Sequence, residues 1–228
     1  MIRRMTVLFV IFLLHKHVVV VFGSDPDPVQ DFCIPNNITA LSSSSSFPII
    51  HHPCKNSSLA TVEDFVFSGI KRSPKVGKSE FASIPVSSTV FPGLNTLGMS
   101  FVRADFGVGA VNVPHFHPRA TEVAFVLRGK IYSGFVDSGN RVFAKVIEEG
   151  EVMVFPRGLV HFQMNVGDEP ATILGSFNSQ NPGLLKIPNA VFGAADEIEQ
   201  GLLEKAFGLS SKEIRNMRRK IIASTGAS

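Results

Sequence analysis

The stretch GAVNVPHFHPRATEVAFVLRG, residues 109–129, holds two histidines one residue apart and a glutamate that precedes an alternating apolar run. Residues two apart on a β-strand project from the same face, so His115 and His117 are predicted to point together. Pro118 permits a turn after them, and Glu122 opens the next predicted strand, TEVAFVL. The stretch therefore predicts two strands joined by a turn that carries three candidate metal ligands.

Alternating apolar segments continue around this stretch, from Leu97 to about Phe177. The segments are MSFVRADF, TEVAFVL, KIYSGFV, RVFAKVI, EVMVF, VHFQMNV and ATILGSF. Arg128-Gly129 predicts a hairpin between TEVAFVL and KIYSGFV, and DSGN, residues 137–140, predicts a longer turn. Short strands at this spacing, with no room for crossover helices, predict an all-β sandwich or barrel and exclude a parallel α/β sheet.

His161 is the fourth candidate ligand. It follows the turn PRG, residues 156–158, on another predicted strand, and barrel closure would bring it in from the opposite wall. Beyond residue 23 the chain has five histidines, and three of them belong to these two segments. The other two, His51 and His52, are predicted to lie in a surface loop.

Three imidazoles and one carboxylate, without a thiolate, argue against Cu(I), zinc-finger and iron–sulfur sites. They favour Mn, Fe, Co, Ni or Zn. An ion with open coordination positions would be catalytic, whereas a closed tetrahedral ion would be structural. The residue pattern leaves both arrangements open.

Residues 1–23 are predicted to be a secretory signal peptide, with basic Arg3 and Arg4 before an apolar run. A membrane anchor is disfavoured, because residues 15–17 (HKH) leave no unbroken apolar run of about 18 residues. The chain has 22 basic and 19 acidic residues, and removal of the signal leaves 19 of each. This balance argues against nucleic acid and anionic membrane surfaces as partners.

Segment 24–60 is predicted to be an N-terminal extension closed by a disulfide between Cys33 and Cys54. Disulfides form in oxidising compartments, which agrees with export. Asn37 and Asn56 each begin an N-glycosylation sequon. These features together predict a secreted glycoprotein.

Two short helices are predicted after the strands, in ADEIEQGLLEKAF and KEIRNMRRKII. Ser210 and Glu213 have the spacing of a capping box. The apolar stripes are Ile198, Leu202, Leu203 and Phe207 in the first helix and Ile214, Met217 and Ile221 in the second. Periodicity leaves open whether these stripes pack on their own barrel or on a neighbouring subunit.

The chain resembles the germin-like proteins of the cupin superfamily. Its first motif comprises Gly109, His115, His117, Glu122 and Gly129, and its second comprises Gly150, Pro156, Gly158, His161 and Asn165. The segments SDPDPVQDFC, FPGLNTLGMS and SFNSQNPG also resemble the family, so the likeness covers essentially the whole mature chain.

The resemblance implies a cupin jelly-roll β-barrel over residues 61–190 and a helical oligomerisation segment over 191–228. It implies Mn²⁺ held by His115, His117, Glu122 and His161. It also implies a homohexamer, a trimer of dimers whose C-terminal helices clasp neighbouring subunits. The expected location is extracellular, in the apoplast or cell wall of a plant, and the family's role in defence is linked to hydrogen peroxide.

Germins oxidise oxalate, whereas many germin-like proteins dismutate superoxide. Oxalate needs hydrogen-bond donors beside the metal, and the resemblance offers Asn112 as one of them. At the second position, before Arg103, this chain has Val102, which has no donor. The sequence therefore favours a superoxide dismutase that produces hydrogen peroxide. The alternatives are an oxalate oxidase and a non-enzymatic protein that binds a small, auxin-like acid. A storage cupin is disfavoured, because all four ligand positions are filled.

Overall fold

The computed structural model describes residues 30–36, 54–73 and 80–224. The predicted signal peptide (1–23), the Asn37 sequon, His51 and His52 lie outside the described residues. Within the described ranges, no helix has the length and apolar character needed to cross a bilayer.

The described chain contains ten strands and only short helices, which confirms the predicted all-β class. In chain order they are β1 (Phe81–Val86), β2 (Ser100–Phe106), β3 (Val111–Phe116), β4 (Glu122–Arg128), β5 (Lys130–Val136), β6 (Val142–Glu148), β7 (Val152–Phe155), β8 (His161–Asn165), β9 (Ala171–Phe177) and β10 (Leu185–Lys186).

The strands form two five-stranded antiparallel sheets. One sheet has the order β1-β2-β9-β4-β7 and the other has the order β10-β3-β8-β5-β6. Only β1–β2 and β5–β6 are neighbours both along the chain and within a sheet. The remaining connections cross from one sheet to the other, as in a jelly-roll barrel. The predicted jelly-roll fold is confirmed.

The core lies between the two sheets, and β4 shows how the sequence builds it. Ala124 and Val126 are fully buried, whereas Val123 and Phe125, which alternate with them, are exposed. The buried residues of the barrel interior are Ala104, Phe106, Ala110, Ala124, Val126, Ile131, Ile147, Phe155, Ala171 and Ile173. The alternation that predicts the strands therefore also separates the core from the surface.

β1 is a strand that the apolar pattern does not predict, because Pro85 interrupts it. β1 is an edge strand, and it pairs only with β2. A proline has no N–H to donate, and an edge strand tolerates this because one of its sides has no partner strand. The first sheet therefore begins upstream of Leu97, where the pattern places the start of the β region.

In the part of the chain that the structure describes, three α-helices follow the strands: α1 (Ile187–Phe192), α2 (Gln200–Phe207) and α3 (Ser211–Ser224). The sequence predicts α2 and α3, whereas α1, with six residues, is too short to show helical periodicity. The capping box of α3 is present, since the Glu213 carboxylate accepts a hydrogen bond from the Ser210 N–H at 2.8 Å. The Ser210 hydroxyl accepts in return from the Glu213 N–H at 3.4 Å.

The apolar stripes of α2 and α3 are divided between the chain's own interior and its surface. Leu203 and Ile214 are 1% and 0% exposed, so each is buried within its own chain. Leu202 and Phe207 are 56% and 53% exposed. Part of the stripes is therefore covered by the chain itself, and an exposed apolar part remains.

The N-terminal extension is closed by the disulfide between Cys33 and Cys54, which is present as predicted. The Lys55 N–H donates to the Ile34 carbonyl at 2.7 Å, beside the bridge. The Asn95 amide donates to the Cys33 carbonyl at 2.8 Å and joins this region to the loop before β2.

Candidate metal centre

The structure brings the four sequence-predicted ligand residues together inside the barrel. His115 lies in β3, His117 directly follows it, Glu122 begins β4 and His161 begins β8. All four are buried, and one donor atom from each lies within 4.8 Å of the others. Residues from both sheets therefore converge on one point.

The separations within this cluster suit a single ion. The Glu122 Oε2 atom lies 3.2 Å from His161 Nε2 and 3.3 Å from His117 Nε2. Bonds of about 2.0–2.2 Å to one ion allow two donor atoms to be about 3 Å apart when adjacent and about 4.2 Å apart when opposite. The cluster needs to contract by only a few tenths of an ångström to meet these limits.

The backbone orients all three imidazoles in the same way. Each Nδ1 atom lies within hydrogen-bond distance of a carbonyl oxygen, so the proton is placed on Nδ1 and the Nε2 lone pair faces the cluster. The pairs are His115 with Val113 (2.8 Å), His161 with Leu159 (2.8 Å) and His117 with Gly183 (2.5 Å). The tautomers that a metal requires are therefore set by the fold.

The electrostatics of the cluster favour an ionised Glu122 and a neutral His115. Burial alone would raise the pKa of Glu122, but hydrogen bonds with His117 and His161 and their charges lower it to about 2. Burial, together with the positive charge of His161, lowers the pKa of His115 to about 4. At neutral pH the carboxylate is thus ionised and the His115 imidazole is neutral, as ligation requires.

Aromatic rings and a glycine turn hold the histidines in place. Phe155 stacks on His161 with ring centroids 4.4 Å apart, and Phe177 lies 4.6 Å from the His117 ring. The Gly158 N–H donates to the His117 carbonyl at 3.1 Å. Gly158 has a φ of +76°, a conformation that favours glycine, which explains the glycine in the second motif.

A β-bulge brings Asn112 onto the same wall as His115. In the pairing of β3 with β8, Asn112 lies opposite Gln163 and His115 lies opposite His161, so β3 has one extra residue between them. In a regular strand, residues three apart face opposite sides, and the bulge cancels this alternation. The Asn112 amide donates to Gln163 Oε1 at 2.8 Å, so two amide side chains adjoin the cluster.

Gln163 is a site residue that belongs to neither sequence motif. It is buried, and it lies two residues after His161 on β8. The two-residue period that pairs His115 with His117 also predicts that Gln163 shares the face of His161. The spacing of two residues from His161 is therefore the sequence signal that could have identified Gln163.

Asn165 of the second motif has a structural position. Its amide nitrogen donates to the carbonyl oxygens of Gly107 at 3.0 Å and Glu169 at 2.8 Å. Its side-chain oxygen accepts from the Gly167 N–H at 2.9 Å. Asn165 thus connects the loop at Gly107 to the loop that contains Gly167 and Glu169.

A cavity of about 280 Å³ adjoins the cluster, and its wall is mostly apolar. Val102 lies on this wall together with Asn112 and Gln163. The residues Phe81, Phe101, Phe106, Ile173, Phe177 and Leu184 supply most of its apolar lining. The site therefore has apolar walls and, at one end, a polar cluster that could bind a metal ion.

The chain matches known proteins over most of its length. Residues 69–215 match the family model described as Cupin. Over 208 residues the chain is 57% identical to germin-like protein subfamily 3 member 2 of Arabidopsis thaliana, covering 91% of this chain and 90% of that protein. It is 52% identical to germin-like protein 2-4 of Oryza sativa subsp. japonica, covering 86% and 85% of the two chains.

The chain is a germin-like protein of the cupin family. Among solved structures it is similar to an oxalate oxidase, with 36% identity, a TM-score of 0.80, and coverage of 90% of this chain and 100% of that one. An oxalate oxidase in complex with the substrate analogue glycolate is equally similar, with a TM-score of 0.80. The family and its fold are thus shown, and the four-residue cluster is a possible metal site within that fold.

Proposed function

We propose that this germin-like protein is a secreted, manganese-binding enzyme that dismutates superoxide. The reaction converts two superoxide ions and two protons into dioxygen and hydrogen peroxide. One observation carries the proposal: a complete, buried donor set adjoins a cavity whose wall has Val102 where an oxalate oxidase is expected to have a hydrogen-bond donor. Superoxide is small and makes few demands on the cavity wall, so the loss of that donor does not disfavour it.

The residues that would hold the ion are His115, His117, Glu122 and His161. When bound, manganese would supply the one-electron couple that dismutation requires. The carboxylate of Glu122 offsets part of the positive charge, and the backbone carbonyls keep each Nε2 directed inward. Donors oriented in this way need only a small contraction when the ion binds.

Asn112 and Gln163 are proposed to position the substrate. Amide N–H groups beside the cluster can donate hydrogen bonds to a small oxygen anion. Their mutual 2.8 Å hydrogen bond fixes the two side chains relative to each other. The phenylalanines of the wall exclude bulk water, which strengthens interactions between the bound anion and these donors.

Oxalate oxidase is the second candidate, favoured by the 36% identity to the oxalate oxidase structure and by the position of Asn112 in the cavity. Val102 argues against it, because a hydrogen bond to a charged ligand contributes about 1.5–3 kcal/mol. A non-enzymatic protein that binds a small acid is the remaining alternative, and the apolar wall would suit the body of such a ligand.

We further propose that the mature protein begins after residue 23 and forms a homohexamer in the apoplast or cell wall. The disulfide supports export, and Asn56, an exposed residue, is a proposed glycosylation site together with Asn37. The exposed Leu202 and Phe207 support a subunit contact through the C-terminal segment 191–228. We also propose that residues 24–60 form the N-terminal extension and that residues 61–190 form the barrel. Light scattering on the purified protein should give the mass of six chains.

The test is metal analysis of the secreted protein, with dismutase and oxalate oxidase assays on the same sample. We expect about one manganese per chain, dismutase activity and no oxalate turnover. His117→Gln should lower both the metal content and the activity, whereas Lys145→Gln, on the surface of β6, should change neither. Manganese-loaded protein with no dismutase activity above that of free Mn²⁺ would refute the proposal. Oxalate turnover would support an oxalate oxidase. Ligand binding without turnover would support a non-enzymatic protein that binds a small acid.

A further inference from the structure

The cavity wall contains one charged side chain that neither the motifs nor the proposed function uses. Among the described residues that line the cavity, Lys186 is the one ionisable residue outside the four-residue cluster. The other polar lining residues are serines and amides, and most of the wall is apolar. A lysine in such a wall is the dominant fixed charge that a ligand meets outside the cluster.

The strand pairing determines where Lys186 points. In the short pair of β10 and β3, Lys186 lies directly opposite His115, and Leu185 lies opposite Phe116. Side chains of directly opposed residues project from the same face of a sheet. Because His115 faces the cluster, Lys186 projects toward the cavity, and Leu185 projects away from it.

The segment that carries Lys186 is joined to the cluster at two points. The Gly183 carbonyl lies 2.5 Å from His117 Nδ1, and Lys186 follows three residues later, opposite His115. The position of Lys186 is therefore linked to two of the imidazoles. Lys186 is half-buried, so its stem can lie along the wall while its ammonium group stays near water.

No carboxylate in the described part of the chain neutralises Lys186. The ion pairs found there involve other lysines and arginines, such as Lys55 with Asp64 and Lys145 with Glu151. Within the cavity, Glu122 is the one carboxylate in the lining, and the histidines of the cluster surround it. A divalent ion there would exceed the charge of this carboxylate, so the loaded cavity would be positive at both Lys186 and the cluster.

We propose that Lys186 forms an anion-binding subsite in the cavity and that it favours small anions, including superoxide and short carboxylates, over uncharged ligands. The inference rests on the proposed function to the extent that the cluster holds a divalent ion. The ammonium group attracts the anion into an apolar passage where an uncharged ligand would gain no such attraction. Lys186 would thus attract anions into the cavity, and the four-residue cluster would hold the ion at which they react.

The test measures anion affinity rather than turnover. Calorimetric titration of the manganese-loaded, full-length secreted protein with sodium azide and with sodium formate compares wild type with variants at position 186. We expect Lys186→Gln to weaken both anions about three- to tenfold, as loss of a half-exposed charge–charge contact predicts. Lys186→Arg should stay within about twofold of wild type, because it keeps the charge.

The matched control is Lys145→Gln. Lys145 lies on β6, the opposite edge of the same sheet, and it is exposed and paired with Glu151 at 2.7 Å. Its neutralisation changes the net charge by the same amount, so an unchanged anion affinity in this control would assign the effect to position 186. Lys186→Met, which keeps most of the stem, guards against a packing artefact. Metal content and melting temperature are measured for every variant.

The outcomes separate this inference from the proposed function. Weaker azide and formate binding in Lys186→Gln and Lys186→Met, with metal retained, supports the subsite even if wild type has no dismutase activity. Unchanged affinity in both variants, with metal retained, overturns the subsite even if wild type is an active dismutase. Equal weakening in Lys145→Gln also overturns it, since the effect would then be one of net charge.

Discussion

Replacement of Val102 by asparagine should increase the affinity of the cavity for oxalate. Val102 is half-buried in β2, it lines the cavity, and its partners across the sheet are Pro85 and Gly175. Gly175 has no side chain, and a Cβ placed there would lie 2.7 Å from Val102 Cγ1. Val102 therefore occupies the space above a glycine, where an asparagine of similar width fits without displacing a larger neighbour.

The expected gain is set by one hydrogen bond to a charged ligand. Such a bond contributes about 1.5–3 kcal/mol, so oxalate should bind manganese-loaded Val102→Asn about ten- to a hundredfold more tightly than it binds wild type. The half-buried amide should lower the free energy of unfolding by about 1–2 kcal/mol when no ligand is present. Calorimetry with oxalate measures the affinity, and urea unfolding measures the stability.

The control is Val102→Leu, which has the branched shape of asparagine but no donor. We expect this variant to bind oxalate no more tightly than wild type does. If Val102→Asn retains its metal and still binds oxalate only as weakly as Val102→Leu, the reasoning is wrong, and Val102 does not explain substrate choice. Release of carbon dioxide and hydrogen peroxide by Val102→Asn would extend the result from binding to turnover.

Three further predictions concern the amide pair, the disulfide and acid stability. Gln163→Leu removes the acceptor for Asn112, so we expect azide affinity to fall about two- to tenfold with metal content unchanged, as measured by calorimetry. Cys33→Ser combined with Cys54→Ser should lower the free energy of unfolding by about 3 kcal/mol, and an unchanged urea midpoint would contradict this. Burial lowers the pKa of His115 from 6.5 to about 4, so the unfolded chain takes up a proton between these values that the folded chain does not. The metal-free protein should therefore lose roughly 3 kcal/mol of stability as the pH falls from about 6.5 to about 4, and His115→Gln should remove this loss in urea titrations at both pH values.

The strands that sequence reasoning could predict are those whose pattern is local. The segment KIYSGFV coincides with β5, as predicted. The hairpin predicted at Arg128-Gly129 is wrong, because β4 and β5 belong to different sheets and the turn carries the chain from one to the other. Gly129 has a φ of +89°, which accounts for the glycine at this turn. β1 escapes prediction because Pro85 is acceptable only at a sheet edge, and edge position depends on the assembled sheet.

The same distinction holds for the site. The spacing of His115, His117 and Glu122 is local, so three of the four converging residues could be identified from one turn. Asn112 lies three residues before His115, and alternation alone would place it on the opposite face. Only the extra residue in the pairing with β8, about 50 positions later, turns it inward. A register shift of this kind is a property of two strands together, so it cannot be predicted from either strand alone.

We therefore infer that substrate choice in this barrel depends on residues outside the four-residue cluster. A His₃Glu donor set can serve both oxalate oxidation and superoxide dismutation, so it does not distinguish between these activities. In our proposal the wall distinguishes them through Val102, which lacks the donor that oxalate is expected to need, while Lys186 attracts small anions of either kind. Neither residue belongs to the two motifs, because each reaches the cavity through strand pairing, Val102 opposite Gly175 and Lys186 opposite His115. Members of the family with the same motifs can thus differ in substrate, and the wall positions are where such differences should be sought.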